Sequence, residues 1–160
     1  MLKTSAKAWE KAADIELRER FGLTGIKWKI LVVLSIKEGI TQKHMADMAF
    51  VEAPTLVPVI DMMEKDGYLT RQSDPKDRRN NLIFMTKKSK DIVDPIIDCI
   101  LEIRNMGLNK ISKKDMEITK KVLGQIMSNT EEFIRQKGEN ADPDLWTNLQ
   151  NKSQKTLVKL

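Results

Sequence analysis

The sequence predicts a mainly α-helical chain with one small β-hairpin. Three observations predict it. Apolar residues recur at helical spacing over most of the 160 residues. Glycine and threonine punctuate those stretches at the places where helices stop and start. The pattern turns strand-like in one region only, on either side of a polar stretch rich in Asp, Pro, Asn and Arg.

The first helix is expected over residues 4–21, with Trp9, Ala12, Ala13, Glu16, Leu17 and Arg20 at helical spacing and Gly22 as its left-handed stop. A second starts at Thr24 and carries Trp28, Ile30, Leu31, Leu34 and Ile36. Gly39 should cap it, with Ile40 folding back against the helix. Thr41 N-caps a short third helix over residues 42–49, whose inward face is Met45, Met48 and Ala49. A fourth follows and closes on Gly67. Pro54 and Pro58 cannot both sit in a regular helix, because Pro58 lacks an N–H and crowds the carbonyl of Pro54. The fourth helix is therefore expected to start late, with Thr55 as its N-cap and Pro58 in the first turn.

Tyr68-Leu69-Thr70-Arg71 and Leu82-Ile83-Phe84-Met85 read as two strands joined by a long polar tip. Helices in a helix-turn-helix arrangement followed by such a hairpin make a winged helix. Thr86 is expected to cap the next helix, through Ile92, Val93, Ile96, Ile97, Ile100, Leu101 and Ile103, with a bend or restart at Asp94-Pro95. Ser112 and Asp115 form a capping-box-like start to a further helix containing Ile118, Val122, Ile126 and Phe133. After the break at residues 138–141, Asp142-Pro143 opens a last amphipathic stretch with Leu145, Trp146 and Leu149.

Composition removes several function classes. Hydrophobic residues make up 41% and charged residues 32%, enough apolar material for a core. The longest unbroken apolar run, residues 30–34, is too short to cross a bilayer, so no membrane association is expected. No apolar stretch follows Lys3, so no secretory signal is expected. One cysteine, Cys99, and one histidine, His44, provide neither an intrachain disulfide nor a metal site. These features predict a cytoplasmic protein with no metal and no cofactor. An enzyme is disfavoured, because no nucleophile–base pair, glycine-rich phosphate loop or ligand cluster is present.

The formal net charge is +5. Residues 65–90 hold eight bases against three acids, so this segment accounts for the whole excess. A local basic patch suits a polyanion, because each neutralised phosphate releases condensed counterions. On charge alone, an ordinary solvated loop with flanking lysines explains it equally well.

The hairpin residues carry a family resemblance. Asp77-Arg78-Arg79-Asn80-Asn81-Leu82-Ile83-Phe84-Met85-Thr86 resembles the D-x-R-x-x-x-x-x-L-T signature of MarR-type winged helix-turn-helix transcriptional regulators, with Met85 in place of leucine. Thr41-Gln42, Met45-Ala46-Asp47 and the stretch from Asp61 to Leu69 are similar to the same family pattern, and the resemblance covers residues 5–135 in order and spacing.

The resemblance implies a homodimeric DNA-binding regulator, a ligand-responsive repressor. It implies a helical dimerisation region over residues 1–23 and 87–138 and a winged helix-turn-helix DNA-binding lobe over residues 24–86. The C-terminal helical extension over residues 139–160 exceeds the family pattern; it could add dimer burial, dock on a partner chain or bind an anionic surface through Lys152, Lys155 and Lys159, and Leu145, Trp146 and Leu149 favour dimer burial. Double-stranded DNA is the implied partner. The fourth helix would enter the major groove and Arg79 the minor groove, braced by Asp77. A guanidinium suits a narrow, strongly negative A·T-rich groove. Arg78, Lys76 and Arg71 are phosphate contacts or plain surface charge, and Gln42 and Lys43 lie where phosphate contacts are common.

The fourth helix departs from the family pattern, with Ala53, Pro54, Val57 and Pro58 where polar or basic side chains are usual. Thr55 can hydrogen-bond a base and Val57 can touch a thymine methyl, so base readout is expected to be thin. A small aromatic or phenolic effector would sit in a cleft near Trp9 and Trp28, although those tryptophans also suit the core. Cys99, among isoleucines, is expected to be a buried, inert thiol. The competing reading is a winged-helix protein-interaction or architectural module without sequence-specific DNA binding.

Overall fold

The computed structural model describes residues 1–138; the expected C-terminal extension, with Leu145, Trp146 and Leu149, lies outside the described residues. Two compact units divide the chain after Gly107. The first contains α1 (Leu2–Phe21), α2 (Ile26–Ile36), β1 (Ile40–Thr41), α3 (Gln42–Ala49), α4 (Ala53–Lys65), β2 (Leu69–Ser73), β3 (Asn81–Met85) and α5 (Lys87–Gly107). The described part of the second is built on α6 (Lys113–Gln136). No helix among the described residues is long and apolar enough to cross a membrane.

The first unit is organised around a three-stranded antiparallel sheet in the order β1-β3-β2. On one side Ile40 pairs with Ile83, and on the other the β2–β3 register runs from Leu69 opposite Met85 to Ser73 opposite Asn81. Leu31, Leu34, Met45, Leu56, Ile60, Met63, Leu69 and Ile83 are almost wholly buried and form the core of the helix-turn-helix lobe. Helix α1 packs along α5 and buries Ala13 and Leu17. Arg20 ties the two helices on the surface by bridging Glu16 and Glu102.

Several local expectations hold. Gly22 takes the left-handed conformation after α1, and the Thr41 hydroxyl accepts from the His44 N–H. The Ser112 hydroxyl accepts from the Asp115 N–H at the start of α6.

Others give way to longer-range forces. Helix α2 starts at Ile26, two residues later than expected, behind a turn in which the Lys27 N–H donates to the Thr24 carbonyl. Ile40 does not fold back on α2 but joins the sheet. Gly39, at φ +69°, sends its N–H to the Ile83 carbonyl, and a Cβ there would stand 3.1 Å from the Phe84 ring. Only glycine suits that close approach.

Helix α4 starts at Ala53, not late: Glu52 is its N-cap residue, Pro54 lies in the first turn and Pro58 is inside the helix. An interior proline costs about 3 kcal/mol in an exposed helix, but burial of Leu56, Ile60 and Met63 on the opposite face holds the backbone helical. Both prolines are exposed, so water can reach the carbonyl of Pro54. Helix α5 likewise runs through exposed Pro95 without a restart, held by buried Val93, Ile96, Cys99 and Ile103. The Thr86 hydroxyl donates to the carbonyls of Gly67 and Tyr68, latching α5 to the base of β2 rather than capping the helix with its side chain.

Helix α6 buries no residue, and Ile118, Val122, Ile126 and Phe133 are exposed along it. Truncation of Ile83 to alanine should lower unfolding free energy by about 2–5 kcal/mol, read from a urea denaturation midpoint. Ser112→Ala should cost about 0.5–2 kcal/mol by removing the α6 cap, read in the same way.

Candidate nucleic-acid interface

The wing tip is folded by its own side chains. The Asp74 carboxylate accepts from the Lys76 N–H at 2.8 Å, the Asp74 N–H donates to the Asn80 carbonyl, and the Asn80 N–H donates to the Asp77 carbonyl. The Asp74–Lys76 contact is an Asx turn and the Asn80–Asp77 contact a β-turn, both favoured by a sequence rich in Asp and Asn.

Asp77 is the hub. Its carboxylate accepts from the Arg79 N–H at 3.1 Å, Arg79 Nε at 3.0 Å, Arg79 Nη2 at 3.2 Å and Asn80 Nδ2 at 3.2 Å. The Arg79 side-chain hydrogen bonds, and next its backbone N–H, hold the Asp77 carboxyl below the usual carboxylate range. Arg79 is 90% exposed. The guanidinium is therefore aimed by its neighbour while remaining open to solvent.

Arg71, grouped with the exposed bases by sequence, is placed differently. Its side chain is only 20% exposed, and its guanidinium bridges Asp61 and Glu64 of α4. The Arg71 N–H also donates to Glu64 at 3.0 Å. Arg71 thus staples β2 to α4 and neutralises two acids beside that helix's exposed face.

Lys88 sits over the Tyr68 ring, 3.9 Å from its centroid, and donates to the Asp66 carbonyl. Lys90 pairs with Glu38 at 3.0 Å. By contrast, Lys43, Lys65, Lys76, Arg78 and Lys87 have no ion pair among the described residues. The surface charge available to a polyanion is therefore distributed over the wing, the start of α3 and the end of α4.

Gln42 and Lys43 open α3, with Gln42 half-buried and Lys43 exposed. Thr55 and Val57 are exposed on α4. Sequence reasoning did not find Asp61 and Glu64. Their spacing of three on one helix was visible, but the strand that brings Arg71 to them was not a local signal.

The two tryptophans have separate environments. Trp28 is 6% exposed and its indole N–H donates to Asp14, which places it in the core. Trp9 is half-buried and lies beside Gly107, where an added Cβ would be 3.6 Å from its ring. Cys99 is buried, and burial raises its thiol above the ordinary range, with nearby Arg20 opposing the shift. That keeps it away from the thiolate form.

Residues 23–80 match the MarR family model. The chain is 30% identical over 100 residues to the HTH-type transcriptional regulator SarZ of Staphylococcus saprophyticus, a match covering 62% of this chain and 64% of that relative. The crystal structure of transcriptional regulator PA3341 superposes with a TM-score of 0.74 and 29% identity, over 82% of this chain and 96% of that one. A Listeria monocytogenes MarR family regulator, solved in complex with a 26mer DNA, shares the fold at a TM-score of 0.71 and 19% identity, over 88% and 95% of the two chains. These relatives are named as transcriptional regulators, not enzymes. With its three-stranded winged helix and these likenesses, the chain carries a MarR-type region over residues 23–80.

Proposed function

We propose that this protein is a homodimeric DNA-binding transcriptional regulator, acting as a ligand-responsive repressor. Residues 24–86 form its DNA-binding lobe, and residues 1–23 with 87–138 its dimerisation region. The observation that carries the reading is the wing tip, where Asp77 holds a 90% exposed Arg79 guanidinium by both of its oxygens. Such a group fits a narrow minor groove, while Lys76 and Arg78 beside it suit the flanking phosphates. Lys43 at the start of α3 adds a further phosphate contact, with Gln42 next to it.

Dimerisation is supported by α6. Ile118, Val122 and Ile126 recur every fourth residue and, with Phe133, expose an apolar stripe along a helix that buries nothing. A second protomer would cover it. For the effector, half-buried Trp9 offers an aromatic face to a small aromatic or phenolic molecule, whereas Trp28 has little surface left to offer. The absence of lysine or arginine on α4 before Lys65 favours a second reading, a protein-interaction or architectural module.

A gel shift with the protein's own upstream DNA, titrated with salt, tests the reading. Affinity should fall steeply with salt, and Arg79→Ala should weaken binding and reduce the log–log slope by about one unit per protomer. Absence of duplex binding at low salt would favour the interaction module. Arg71→Ala should also weaken binding, because Asp61 and Glu64 would then face the phosphates unneutralised. Adding Asp61→Asn and Glu64→Gln to that variant should restore it, which a direct Arg71–phosphate contact would not allow.

A further inference from the structure

The exposed face of α4 is chemically unusual for a helix that meets bases. Over its first two turns it presents Ala53, Pro54, Thr55, Val57 and Pro58, and all five are exposed. Bidentate base recognition needs Arg or Lys on guanine, or Asn or Gln on adenine, and none of these types occurs between Glu52 and Glu64. The single hydroxyl belongs to Thr55.

The helix end does not compensate. Pro54 has no N–H, and the Thr55 N–H donates to the Glu52 carbonyl at 2.9 Å, so two of the first donors are unavailable to a phosphate. What the face offers is carbon: the Val57 methyl groups, with that residue 42% exposed, and the ring methylenes of two prolines. Proline loses essentially no side-chain entropy on binding, so the surface is already ordered. In the major groove the apolar feature on a base edge is the C5-methyl of thymine. Lys76 and Arg78 on the wing and Lys43 on α3, which have no ion pair among the described residues, supply with exposed Arg79 the charge that brings such a face onto DNA.

We propose that α4 reads thymine methyl groups by apolar contact from Val57, Pro54 and Pro58, in place of a hydrogen-bond code. The inference rests on the DNA-binding reading above and assigns its sequence preference. The binding site is therefore thymine-rich where α4 enters the major groove, in addition to the A·T-rich minor groove under Arg79.

The test uses the full-length protein and a duplex selected with it from a random-sequence pool. Each thymine is replaced singly by deoxyuridine, which removes the methyl group and keeps the hydrogen-bonding edge. Affinity should drop roughly fourfold for each contacted methyl removed. In Val57→Ala, checked for helicity by circular dichroism, the thymine and deoxyuridine duplexes should bind alike at the Val57 position. If the duplex is bound and every deoxyuridine is tolerated, methyl readout is wrong while DNA binding stands. Undiminished discrimination in Val57→Ala together with Pro54→Ala and Pro58→Ala variants would also overturn it. If no duplex is recovered at low salt, the DNA-binding reading itself falls, and this proposal with it.

Discussion

Strand β3 is paired along both edges, and the positions of the surrounding elements follow from that constraint. Ile83, fully buried, faces Ile40 on one side and Arg71 on the other. The first pairing draws the α2–α3 connection into the sheet and so fixes where α3 begins. The second sets the base of the wing and brings Arg71 beside α4. Because the side-chain period of a strand is two, a slip of one residue would turn Ile83 to solvent and separate Arg71 from its acids. The hydrophobic demand of one isoleucine thus holds both the wing and the helix beside it in register.

Electrostatics divides the basic segment into two populations that a residue count cannot separate. Arg71 and Lys90 are engaged by carboxylates of the same lobe, and Lys88 by a carbonyl and a ring. Arg79 is paired yet almost fully exposed, because its partner lies behind it on the same turn. An ion pair in that setting contributes little to stability; it limits the directions in which the guanidinium can point. Positive charge in this segment therefore serves two purposes: some of it holds the lobe together, and the remainder is available to a polyanion.

What the sequence disclosed was local. The stop at Gly22, the caps at Thr41 and Ser112, and the turn chemistry of residues 74–80 each depend on neighbours within a few positions, and each was legible. The fold class was legible for the same reason, since helical periodicity and a single hairpin are short-range patterns. The two-residue strand β1 was not, because Ile40 becomes a strand only through Ile83, far along the chain. Pro58 and Pro95 misled in the same sense: local rules end a helix at such residues, whereas burial on the opposite faces outweighs the missing hydrogen bond. At the candidate site the Asp77–Arg79 unit was pointed to by the resemblance of the hairpin residues, but the Arg71 staple required the sheet register.

Glu38 has a mechanical consequence for the first unit. One oxygen of its carboxylate accepts from the Met85 N–H at the end of β3, and the other pairs with Lys90 on α5. Its neighbour Gly39 donates to the Ile83 carbonyl beneath the Phe84 ring. The linker leaving α2 is thereby pinned to the root of the hairpin and to the long helix that follows it. Axial sliding of α5 past that root would stretch at least one of these bonds, so displacement of the helix drags the hairpin along as a coupled lever.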